Sequence, residues 1–167
     1  DLPEDEKRNI AKCVGIGALK YSDLSQNRSS NIDFSWEKAL SFEGNTAPYL
    51  QYTYARIRSI FRKVTENGLF FDRSARMILE TELEKQIAAS IVRFPECVEK
   101  AAEFYKPNLI ADHLFDLAQK FSSFYNSTPI LKSEHDILQS RLNLADAVAR
   151  TMKTGLDLLG IEVVERM

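Results

Sequence analysis

Phe42-Glu43-Gly44-Asn45-Thr46-Ala47-Pro48-Tyr49-Leu50-Gln51-Tyr52-Thr53-Tyr54-Ala55-Arg56 joins a tight polar loop directly to a helix loaded with tyrosine, glutamine and arginine. Gly44 can take a positive φ at no steric cost, Asn45 or Thr46 can cap the helix, and Pro48 suits a first helical turn. From Ala47 to Thr65 there is no acidic residue, while Arg56, Arg58, Arg62 and Lys63 are all present. Free N–H groups at a helix start, basic side chains and tyrosine rings match the needs of a single-stranded nucleic acid. Amides and charges take phosphates, and rings take bases.

The totals neither demand nor forbid this. The 167 residues suffice for one domain with a real core, or one domain plus an appended piece. At 44% hydrophobic and 28% charged, the chain reads as globular rather than disordered. The net charge of -2 argues against an overall basic binder. A phosphate, however, feels charge within about 8–10 Å, so local distribution decides. Acidic residues gather elsewhere, in Glu4-Asp5-Glu6 and at Glu80, Glu82 and Glu84. The two cysteines, Cys13 and Cys97, are far apart and read as reduced, packed thiols. No apolar run approaches the roughly 20 residues that span a bilayer. With no signal-peptide pattern, the expectation is a cytoplasmic chain without membrane partners. Its opening, Asp1-Leu2-Pro3 rather than methionine, suggests a piece of a longer protein.

Helical spacing dominates the rest. A first helix is predicted over about Pro3–Asp23, with Gly15 and Gly17 either weakening it or admitting another backbone. Ser35 can cap a short helix carrying Trp36, Leu40 and Phe42. The long helix should stop at Asn67-Gly68. A second long helix is predicted over Arg73–Arg93, interrupted by Pro95 and followed by a shorter one over Glu96–Tyr105. Ile110, Leu114, Leu117, Phe121 and Phe124 form one buried stripe. A final helix carries Leu138, Leu142, Ala145, Val148 and Met152, with Gly155 and Gly160 punctuating its end. Strand-like alternation is scarce. The fold class is therefore all-α, a bundle of about five or six helices.

At 100° per residue, Leu50, Ile57, Phe61 and Val64 share the core stripe of the long helix, with Tyr54 beside it. Gln51, Arg58 and Arg62 lie on one flank; Tyr49, Tyr52, Arg56 and Lys63 lie on the other. Taken singly, each arginine fits a solvated or salt-bridged surface position, and each tyrosine fits rim packing. The lack of a carboxylate within the helix before Glu66 removes the local i,i+4 partner that such arginines usually have.

The segment Phe42–Arg62 closely resembles the arginyl-tRNA synthetase family of class I synthetases. Upstream, Gly15-Ile-Gly-Ala-Leu-Lys-Tyr-Ser-Asp-Leu-Ser-Gln-Asn-Arg28 and Phe34-Ser-Trp-Glu-Lys-Ala-Leu40 are similar to what precedes that motif in the family. Downstream, Arg141-Leu-Asn-Leu144 and Gly155–Met167 are similar to its C-terminal end. The resemblance covers nearly the whole chain in order. It implies a helical anticodon-binding domain of the DALR type over residues 41–167, with residues 1–40 as the tail of a catalytic region or the junction from it. The signature after which the domain is named is matched only by the first two letters of Asp146-Ala147-Val148-Ala149.

By position, Gly44-Asn45-Thr46 resembles the family's loop against the anticodon arm. Tyr49, Tyr52 and Arg56 match its aromatic and basic helix positions, Arg62 matches a basic position near the anticodon, and Gln51 is counted with them as a binding residue. Tyr125 and Met167 resemble an aromatic ring and a methionine that form a pocket for an anticodon base. The implied partners are the anticodon arm of tRNA(Arg) and the enzyme's own catalytic domain, in a monomer. ATP with Mg and arginine belong to the full-length enzyme, and no cofactor is expected in this stretch. Neither class I active-site signature is present, so no catalytic residue is assigned and the stretch alone is expected to be inactive. His113 with Asp112 and Asp116 lacks a second nitrogen or sulfur ligand, so no metal ligand is assigned. Cys97, near an expected helix start, has no histidine nearby in sequence to activate it. Glu80, Glu82 and Glu84 read as a solvated helix face, and Met77 and Met152 as core. A helical protein-interaction module gripping an acidic partner is the alternative reading.

Overall fold

A computed structural model describes residues 2–167. Six α-helices run in chain order: α1 Glu4–Leu24, α2 Trp36–Ala39, α3 Ala47–Glu66, α4 Glu82–Glu103, α5 Asn108–Ser127 and α6 His135–Leu158, with a 3-10 turn at Ile130–Lys132 before α6. No strand occurs among the described residues, and none of their helices is long and apolar enough to cross a membrane.

The core lies where α3, α5 and α6 meet. Leu50, Ile57, Ile60 and Val64 face Leu114, Leu117, Phe121 and Phe124, and α6 adds Leu142, Val148, Met152 and Leu156. Each such side chain contributes about 1.5–3 kcal/mol on full burial, which is why the predicted stripes set the helix orientations. At Gly155 a Cβ would lie 2.6 Å from Leu114 Cδ2. This glycine therefore sits inside α6 as a close-approach point, not as the end punctuation its sequence context suggested. Gly160, at φ 68°, marks the end of the helix.

α4 corrects three expectations. It begins at Glu82 rather than Arg73, because Thr81 and Glu84 close a capping box there: Thr81 Oγ1 accepts from the Glu84 amide while Glu84 Oε2 accepts from the Thr81 amide. It then runs through Pro95 without a break. Proline removes one helical hydrogen bond, but Ile87, Phe94 and Ala101 on either side of it are buried, and α4 packs along α5 more extensively than any other helix pair. Finally, Glu84 is not solvated. It is 1% exposed and bonded to Arg141 Nε at 2.8 Å.

The stretch 69–81 before α4 is irregular, and α6 side chains hold its backbone. Gln139 donates to the Phe70 carbonyl and accepts from the Asp72 amide, Ser140 bonds both Ile78 N and O, and Asn143 donates to the Asp72 carbonyl. These bonds replace the helical ladder that periodicity predicted. Met77 sits on this stretch at 43% exposure, so it is not a core residue as expected; Met152 is.

Candidate nucleic-acid interface

The loop before α3 is built from its own side chains. Gly44 takes φ 82°. Thr46 caps α3, its Oγ1 accepting from the Tyr49 amide at 3.3 Å and donating to the Ser41 carbonyl at 2.6 Å. Buried Tyr21 on α1 ties the loop down, its hydroxyl 2.5 Å from Asn45 Oδ1 and 3.1 Å from the Ala111 carbonyl. Burial, then the nearby Asp112, push that phenol well above its ordinary range. Gly44 and Asn45 remain exposed at the tip, while the Thr46 hydroxyl is spent on the cap.

Along α3, Tyr52, Ala55, Arg56, Ser59 and Arg62 form one wall of a recess of about 240 Å³, closed by Tyr125 at the end of α5 and by Met167. The Arg56 guanidinium carbon stands 4.6 Å from the Tyr52 ring centroid and 5.5 Å from that of Tyr125. Phe42 packs edge-on against Tyr52 at 6.1 Å, and Phe121 stacks on Tyr125 at 6.3 Å. No carboxylate pairs with Arg56 among the described residues. A guanidinium held between rings keeps its N–H edge for a phosphate or a base.

Met167 reaches the recess because α3 clasps the segment after α6. Gln51 Nε2 donates to the Glu162 carbonyl at 2.8 Å, Tyr54 and Arg58 both bond the Glu165 carboxylate, and Arg62 Nη1 donates to the Glu165 carbonyl at 2.8 Å. Burial alone would raise the Glu165 carboxyl, but the Arg58 and Tyr54 bonds outweigh it and hold the group below its ordinary value. The Tyr54 phenol is pushed up to about 12, by burial first and then by Glu165.

The expected residues thus divide. Tyr52, Arg56, Arg62, Tyr125 and Met167 come together. Gln51 does not: it is fully buried, its amide bonded to the Cys13 and Glu162 carbonyls beneath Gly17, where a Cβ would come within 2.8 Å of it. The polar-flank reading of Gln51 fails because the segment after α6 covers that side of the helix. Tyr49 is half-buried in the α3–α5 seam, its hydroxyl 3.3 Å from Ser122 Oγ and its ring 5.7 Å from Phe115. Arg58 has a partner after all, Glu165, 107 positions away and invisible to local spacing.

No group of three or more His, Cys, Asp or Glu suited to a metal occurs among the described residues. His113 lies against Phe94, and burial holds its imidazole below the ordinary value. Cys97 falls mid-helix in α4, and burial and then Asp112 push its thiol up, the reverse of a nucleophile.

Residues 50–167 match the family model of the DALR anticodon binding domain. The whole chain is 50% identical to an arginine–tRNA ligase of Fusobacterium nucleatum and 52% identical to one of Laribacter hongkongensis, spanning 29% and 28% of those proteins. Among solved structures, all of it superposes on the Thermus thermophilus arginyl-tRNA synthetase at a TM-score of 0.91 and 36% identity, matching 28% of that chain. The Plasmodium falciparum arginyl-tRNA synthetase follows at 0.83 and 27% identity, with 95% of this chain and 28% of that one covered. The chain therefore spans under a third of the length of the curated relatives it matches.

Proposed function

We propose, from the premise that this chain belongs to the DALR anticodon-binding domain family, that it grips the anticodon arm of tRNA(Arg) within a larger arginyl-tRNA synthetase. One observation carries the reading: Tyr52, Arg56, Arg62, Tyr125 and Met167, drawn from two helices and the segment after α6, converge on one recess. Its work is binding and orientation. An anticodon loop must open for its bases to be read, and a base settled between Tyr125 and Met167 gains about 1–3 kcal/mol from stacking. Met167 adapts to a flat ring without demanding hydrogen bonds, and Arg56 and Arg62 take the adjoining phosphates. The exposed tip at Gly44 and Asn45 meets the backbone of the arm. Gln51, Tyr49 and Thr46 act behind this surface, fixing the segment after α6, the α3–α5 seam and the helix start.

Residues 1–40 would lead in from the catalytic region, and residues 41–167 would form the binding domain. ATP with Mg and arginine would be handled by that region, and the present residues would place the tRNA so that its acceptor end reaches it. The test is a titration with anticodon stem-loops that differ in single loop bases. Tyr125→Ala and Met167→Ala should compress the spread of affinities between variants more than they weaken binding to any one. A uniform loss across the variants removes the base-reading role.

A further inference from the structure

Tyr125 lines a second recess as well, of about 420 Å³, together with Ile60, Lys63, Asn126, Leu131 and Lys132. Lys63 comes from the last turn of α3, and Lys132 from the 3-10 turn that precedes α6. Among the described residues neither lysine pairs with a carboxylate, and no carboxylate lines the recess. Ile60 and Ile130 are buried at its base, and Leu131 is half-buried beside them. An apolar base rimmed by two unpaired ammonium groups and an amide suits a ligand that is flat on one side and anionic on the other. That is the chemistry of a nucleotide, and the wall shared with the first recess makes the two recesses neighbours.

We propose that this second recess takes the nucleotide next to the one held between Tyr125 and Met167, its phosphate against Lys63 and Lys132 and its base over Ile130 and Leu131. The inference rests on the RNA-binding reading above. An ammonium pairs with phosphate as a point charge, and an aliphatic surface accepts any base, so this subsite adds affinity and fixes register with little base preference. An acidic peptide would also meet the lysines, but it would have no use for a neighbouring ring pocket.

The test measures binding of a synthetic anticodon stem-loop to the full-length protein across a salt series, for wild type, Lys63→Ala/Lys132→Ala and Arg56→Ala. Abasic substitutions are placed at each loop position in turn. The lysine pair should cost about tenfold in affinity and flatten the slope of log K against log salt by about 1. Leu131→Ala should couple to an abasic site one position away from the site that couples to Met167→Ala. Lys63→Arg/Lys132→Arg should restore most of the binding, since charge rather than shape is at work. If Arg56→Ala weakens binding and the lysine pair does not, the second subsite is overturned while the first reading stands. If neither variant weakens binding, both fall. A polyglutamate peptide that loses affinity on lysine replacement, with RNA binding unchanged, would overturn the subsite in favour of a protein partner.

Discussion

Arg141 on α6 and Arg56 on α3 carry the same guanidinium in opposite surroundings. Arg141 is 9% exposed, and its Nε, Nη1 and Nη2 meet Glu84, Ser133 and Glu80 at 2.8, 2.6 and 3.4 Å. Burial alone would raise the Glu84 carboxyl, yet the Thr81 amide, Arg141 and the Glu80 amide together hold it below its ordinary value. The result is a closed polar knot joining the start of α4 to α6. Arg56 has rings where Arg141 has carboxylates, and no carboxylate among the described residues pairs with it. A charge neutralised inside the protein serves the fold; one held by aromatic faces at the rim of a recess stays open to a ligand.

The largest effect that would break this contrast is expected at the knot. Glu84→Ala leaves the buried Arg141 guanidinium with only Ser133 and the longer, more exposed Glu80 contact and removes the carboxylate half of the capping box. It should cost about 3–5 kcal/mol in urea unfolding. A loss under about 1 kcal/mol, within the range of exposed ion pairs, would show that solvent already screens the pair. Arg56→Ala should do the reverse. Stability should stay within about 0.5 kcal/mol of wild type, and stem-loop binding should weaken by about 1–3 kcal/mol, roughly fivefold to over a hundredfold. Equal loss of stability and binding would put Arg56 in the same class as Arg141.

A smaller effect concerns pH and sharpens how the recess is held. The Glu165 carboxyl is depressed from its ordinary 4.5, so its contribution is present above that value and lost as pH falls through the lower folded value. Acidification through that lowered range should loosen the clasp of Tyr54 and Arg58 on the segment after α6 and move the Met167 methyl resonance. In Glu165→Gln that transition should vanish. No transition in wild type would assign the holding to the Gln51 and Arg62 bonds to backbone, and one that persists in the variant would assign it to a different carboxyl.

Helices whose apolar positions recur at three and four residues were readable from the sequence, because burial of those stripes sets the packing. α4 was not, for two reasons. The apolar residues before Thr81 mimic a helical period while their backbone is satisfied by Gln139, Ser140 and Asn143 from another helix. Pro95 carries a strong local stop signal that packing against α5 overrides. The Thr81-x-x-Glu84 capping pattern was the signal that would have placed the true start. On the interface, the carboxylate-free run of α3 pointed to Arg56, and resemblance pointed to Tyr125 and Met167. What spacing within one helix cannot reveal is cover from elsewhere in the chain: the segment after α6 buries Gln51 and occupies Arg58.

The three methionines give the most direct test of the central claim, since Met167 lines the recess, Met152 is fully buried and Met77 lies on the stretch before α4. Each methyl can be assigned by substitution with leucine and followed while an anticodon stem-loop is titrated into the labelled protein. The Met167 resonance should shift saturably, Met77 and Met152 should hardly move, and Arg56→Ala should weaken the titration. A shift at Met77 with Met167 unmoved would contradict the claim.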